Sequence, residues 1–117
     1  EINLISQEAL EAGLIITDGQ FELLCFSHPF RKKKGDLISE PLHALDPSEV
    51  LRLDFPSLRL ERLNSAFGYL IEGKLIDKES GRIGLGDIAI EIDSHFIPRD
   101  LKNNENVSFK CDRLDIY

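Results

Sequence analysis

The stretch Gly13-Leu14-Ile15-Ile16-Thr17-Asp18-Gly19-Gln20-Phe21-Glu22-Leu23-Leu24-Cys25-Phe26 decides the fold class. Two apolar, strand-favouring runs flank Asp18-Gly19, a pair that tolerates the positive φ of a tight hairpin turn. With those two residues as the turn, Ile16 is expected opposite Phe21 and Leu14 opposite Leu23, and Cys25 continues the same face. Ile15 and Leu24 fall on the other face, so a further element is expected to cover the back of this ribbon.

Further along the chain, Phe67 to Ile76 and Arg82 to Ile92 read as a second hairpin around Asp77-Lys78-Glu79-Ser80-Gly81, with Gly81 taking the left-handed position. In its second arm Ile83 and Leu85 share one parity and Ile88, Ile90 and Ile92 the other, which predicts a bulge at Gly86-Asp87. The last strand changes phase in the same way, from Val107, Phe109 and Cys111 to Leu114 and Ile116. Two such changes predict strongly bent strands, the device by which a sheet curls into a barrel. Leu37-Ile38 reads as a short strand, and Leu58 to Leu63 as another because its apolar residues first alternate.

Two short helices are expected. Ser6 to Gly13 has a capping Ser6, an acidic first turn at Glu8 and a stop at Gly13. Asp46-Pro47-Ser48-Glu49 has the pattern of a capping box with proline at the first helical position, leading a helix through about Leu53 that ends before Pro56. The fold class is therefore mainly β, a small curved sheet or barrel with one or two short helices, in a single domain spanning residues 1–117. From Gly13 to Tyr117 the order of elements resembles the oligonucleotide/oligosaccharide-binding (OB-like) barrel. That resemblance is one of architecture and implies no activity by itself.

The 117 residues, 42% hydrophobic and 30% charged, are enough for one apolar core without staples. No apolar run reaches the roughly 18 residues that span a bilayer, and Glu1 to Ser6 lack the pattern of a secretory signal. A cytoplasmic location follows as the expectation. Cys25 and Cys111, the only two cysteines, are too few and too far apart for a disulfide framework and read as buried thiols, with a bridge between them as the alternative.

The formal net charge is −7, which opposes attraction to nucleic-acid backbones or anionic membranes and favours a basic partner. One segment runs against it. Arg31, Lys32, Lys33 and Lys34 follow His28 and Phe30, combining stacking rings with phosphate-seeking cations, and these six residues form the candidate binding site.

Other constellations are weaker. Cys25 and His28 have the spacing of a metal-ligand pair, but His95 and Cys111 do not form the second close pair that a structural zinc site needs, so no metal is expected. Gly84-x-Gly86 opens no helix, no phosphate loop or nucleophile elbow is present, and no cofactor is implied. Asp87, Glu91 and Asp93 alternate with isoleucines as the solvent face of a strand would. An enzyme would need Asp87 or Glu91 joined to a histidine in a concave site. The expected function is therefore a non-catalytic module that binds a basic protein, for example an accessory or immunity-type protein. An OB-like oligonucleotide- or ligand-binding domain using residues 30–34 is the alternative, and an enzyme comes last.

Overall fold

The computed structural model describes residues 3–8, 13–27, 37–38, 40–64 and 67–116. The first hairpin is present as β2 (Gly13–Thr17) and β3 (Glu22–Ser27). Its register differs from expectation: Ile16 lies opposite Leu23 and Thr17 opposite Glu22, leaving residues 18–21 as the turn. Asp18 explains the looser turn. Its Oδ1 accepts the N–H groups of Gln20 at 2.9 Å and Phe21 at 2.8 Å, a side-chain substitute for the tight backbone turn. The pairing moves by two residues, so the parity survives, and Ile16, Leu23 and Cys25 are fully buried together.

The other oxygen of Asp18 accepts the N–H of Asp87 at 2.9 Å, tying this turn to one that lies far away in sequence. Burial works against the charged carboxyl, but the N–H groups of Phe21, Asp87 and Gln20 outweigh it and hold Asp18 below the usual carboxylate range. Asp18→Ala is expected to cost about 1–3 kcal/mol in urea unfolding, the scale for leaving such donors unsatisfied. A carboxyl lowered on folding stabilises fully above its unfolded pKa, and that contribution is lost as pH falls. The wild type should therefore lose more stability than the variant on acidification below about pH 4.

The second expected helix is a strand instead, and so is the described part of the first. In place of the first, β1 (Asn3–Glu8) pairs antiparallel with β2, Ile5 opposite Ile16, and with β4 (Leu37–Ile38) on its other side. Residues 9–12 lie outside the described residues. In place of the second, Asp46 and Glu49 take positive φ of 51° and 52°, and the chain continues as β6 (Ser48–Leu53). β6 lies against β11 (Asn106–Cys111), with one extra β6 residue between the Leu51–Ser108 and Ser48–Lys110 pairs. The capping residues thus shape a bulge. An open edge offers a whole row of non-local hydrogen bonds, which outweighs a weak helical preference over six residues. The helical content among the described residues is one 3-10 turn, Ser94–Phe96, whose cap Asp93 accepts from the His95 N–H.

The second hairpin agrees with expectation. β8 (Tyr69–Asp77) and β9 (Arg82–Leu85) flank the turn, and Gly81 has φ 76°. A side chain at Gly81 would also collide with the carbonyl of Ile92. The expected bulge at Gly86-Asp87 is a full reversal: Leu85 pairs with Ile88, so the chain turns back as β10 (Ile88–Glu91). The later phase change is likewise a boundary. Asp112 donates its N–H to Leu45 of β5 (Leu42–Leu45) and separates β11 from β12 (Arg113–Ile116). β11 joins β8 and β6, whereas β12 joins β5 antiparallel and β3 parallel.

The hydrogen-bonded path among the described strands is β4-β1-β2-β3-β12-β5-β10-β9-β8-β11-β6, and β7 (Arg59–Arg62) branches from β8. The sheet is curved but does not close, which corrects the barrel expectation: the phase changes redirect the chain between strands instead of bending strands around a ring. The core lies within the curl, with Phe109, Leu75, Ile83, Ile90, Leu114 and Ile116 fully buried. The back of the β2–β3 ribbon is covered as expected. Leu24 donates its N–H to the Tyr69 hydroxyl at 2.9 Å, and Phe26 packs edge-on to Phe67 at 4.8 Å. No helix of the described residues is long and apolar enough to cross a membrane.

Candidate functional site

The residues singled out from sequence, His28, Phe30, Arg31, Lys32, Lys33 and Lys34, lie outside the described residues. The described chain leaves β3 at Ser27, opposite Ile116 of β12, and re-enters at Leu37.

Beside the end of β3 runs a polar row that the linear sequence does not display. Strand register places Arg82 opposite Glu91, Glu91 beside His43, His43 opposite Asp115, and Asp115 beside Phe26. One face of four neighbouring strands thus carries a row of polar and charged side chains. Arg82 bonds Glu91 at 2.9 Å, and His43 Nδ1 stands 3.9 Å from the other Glu91 oxygen. Arg113 holds Asp115 with two bonds, 2.8 Å from Nε and 3.1 Å from a terminal nitrogen, and lies 5.2 Å above the Phe26 ring. Only 3% of the Asp115 side chain is exposed, so Arg113 compensates a buried charge. The i, i+2 spacing of Arg113 and Asp115 was the available signal for a shared strand face; which strands would adjoin it was not legible.

The geometry does not assemble these groups as an acid–base site. Glu91 reaches a histidine but is already engaged by Arg82 on an open sheet face, where the His43 side chain is 38% exposed. Asp87 sits exposed in the β9–β10 turn, and Asp93 pairs with His95 at 2.7 Å on a separate exposed turn. The cysteines are free thiols in the core, whereas His95 is at the surface, so these members of the weak metal set do not converge. Burial, with Asp115 nearby, pushes the Cys25 thiol up to about 12. Burial also pushes Cys111 up, to about 11, although the N–H groups of Tyr69 and Arg113 partly oppose it. Thiols held protonated in this way pack and do not attack.

Two surface features remain. A cleft of about 620 Å³ separates the β8–β9 turn from residues 94–103, where Lys78 donates its backbone N–H to Asn103 Oδ1 and its ammonium to the Arg99 carbonyl, each at 2.7 Å. On the opposite flank of β8, the connection from β6 to β7 crosses the sheet. Ser57 donates to Glu72 at 2.7 Å, Glu72 and Ser108 are buried, and Leu51, Phe55 and Leu58 are 60%, 60% and 50% exposed.

Together these features define a mainly β protein with an open, curved sheet and an ion-paired outer face. No family model matches the chain, and neither a curated protein nor a solved structure matches it.

Proposed function

We propose that the protein is a non-catalytic binding module whose acidic surface docks a basic protein partner, as an accessory or immunity-type protein does, in the cytoplasm. The observation that carries this is the fate of the cations. Outside residues 31–34 the chain has ten Lys and Arg against 21 Asp and Glu. Among the described residues at least five of those ten are bound to carboxylates: Arg52 to Asp100 and Glu105, Arg59 to Glu61 and Glu72, Arg82 to Glu91, Lys110 to Glu49, and Arg113 to Asp115. Exposed Glu22, Asp46, Asp54, Glu79, Asp87 and Asp112 are in no ion pair among the described residues, against Lys74, Arg99 and Lys102. The charge left for a partner is negative, which accelerates and orients encounter with a basic surface.

Titration with polylysine and a panel of basic proteins tests this. Binding is expected to weaken at least about tenfold as salt rises from roughly 50 to roughly 300 mM, because exposed charges are screened over a Debye length. Salt-insensitive binding, or no binding to any cationic probe, would overturn it. So would tight binding of single-stranded oligonucleotides that is abolished by alanine at Lys32, Lys33 and Lys34, the behaviour of a stacking and phosphate site.

A further inference from the structure

We propose that the outer edge of β6 is the docking site, and that it takes an extended segment of the partner in which apolar residues alternate with Lys or Arg, adding it as a strand. This rests on the acidic-module reading and specifies where and how that module engages. Among the described residues, β6 ends the strand path and is hydrogen-bonded on one side only, to β11. Beyond the bulge at Glu49, residues Leu51, Arg52 and Leu53 pair regularly with Ser108, Val107 and Asn106. Their backbone groups on the outer side have no strand partner among the described residues. An added strand would satisfy them, and the pockets for its alternate side chains would set specificity.

The two faces of that edge differ in chemistry, because neighbouring residues of a strand point to opposite sides. On the side of Leu51 the chain leaves β6 and begins to cross the sheet at Phe55, so two exposed apolar side chains, Leu51 and Phe55, lie by the edge. On the side of Arg52 lie Asp100 and Glu105, which Arg52 meets at 3.9 Å. Glu49, Asp46 and Asp54 add further exposed carboxylates along the strand and its ends, and Lys110 already holds Glu49 at 3.1 Å. An incoming strand with apolar residues on one face and cations on the other complements both sides. A second copy of β6 complements them less well, since antiparallel pairing about Val50 sets Asp46 of each copy against Asp54 of the other.

The test uses the intact protein and acetylated, amidated peptides about six residues long, a typical strand length, alternating valine with lysine or valine with glutamate. The valine–lysine peptide is expected to bind and to slow amide hydrogen exchange within Val50–Leu53. Leu51→Lys, and separately Phe55→Ser in the connecting segment, are expected to weaken binding at least about tenfold, a change of about 1.4 kcal/mol, with thermal unfolding confirming that each variant folds. Equal binding of the glutamate peptide, unchanged affinity in both variants, or protection confined to other strands would overturn the edge site. So would self-association of the free protein that protects the same amides, which would identify a second copy as the occupant. If polylysine and basic proteins bind in a salt-sensitive way while the β6 amides stay unprotected, the edge site fails and the acidic-module reading stands. If no cationic probe binds, both fall.

Discussion

Replacing Arg113 with methionine is expected to destabilise the protein by about 3–5 kcal/mol, the scale for removing one partner of a buried ion pair. Methionine keeps much of the packing against Phe26, so the loss isolates the charge. The Asp115 carboxylate, 3% exposed, would keep its desolvation cost without the two bonds from Arg113. Adding Asp115→Asn to the variant should restore part of the loss, because it removes the stranded charge, and a double-mutant cycle by urea unfolding would give the coupling. A loss below about 1 kcal/mol would place the pair with ordinary surface bridges.

Raising the pH is expected to unfold the protein through its two cysteines. An unperturbed thiol loses its proton near pH 9, but burial holds Cys25 and Cys111 protonated to about 12 and about 11. Between those limits the unfolded chain binds fewer protons than the folded one, so stability is complete below about pH 9 and falls as pH rises, by up to about 1.4 kcal/mol per pH unit per thiol. By about pH 10.5 the pair should have cost about 4 kcal/mol, a large fraction of the stability of a domain this size. The Cys25→Ala, Cys111→Ala double variant retains every other titrating group. It should be less stable than wild type at neutral pH, because it leaves space in the core, yet lose less stability between about pH 9 and about pH 10.5. Parallel alkaline curves for the two proteins would refute the thiol origin. Ellman's reagent should label the native wild type only as fast as it opens.

How much was legible follows from the range of the interactions. The Asp18-Gly19 hairpin, the β8–β9 hairpin with its left-handed Gly81, and the inward row of Ile88 and Ile90 are set by alternation and turn residues a few positions apart. The carboxylate of Asp18 changed the turn length without disturbing which side chains are buried. The polar row was not legible, because Arg82, His43 and Asp115 become neighbours only through pairing of β9, β10, β5 and β12. The basic segment at residues 31–34 was visible as composition, and its placement lies outside the described residues.

By itself, the sequence determined a mainly β chain, its apolar faces, two of its turns and its negative charge, since each depends on side-chain chemistry and period-two geometry. The tertiary structure alone decided that Ser6 and Asp46-Pro47 lie in or next to strands and not in helices, and that the phase changes at Gly86-Asp87 and Asp112 end strands. It also decided that the sheet stops at β6 instead of closing. Capping residues and short apolar runs serve helix ends and bulges alike, and the choice falls to whichever backbone partner the rest of the chain brings alongside.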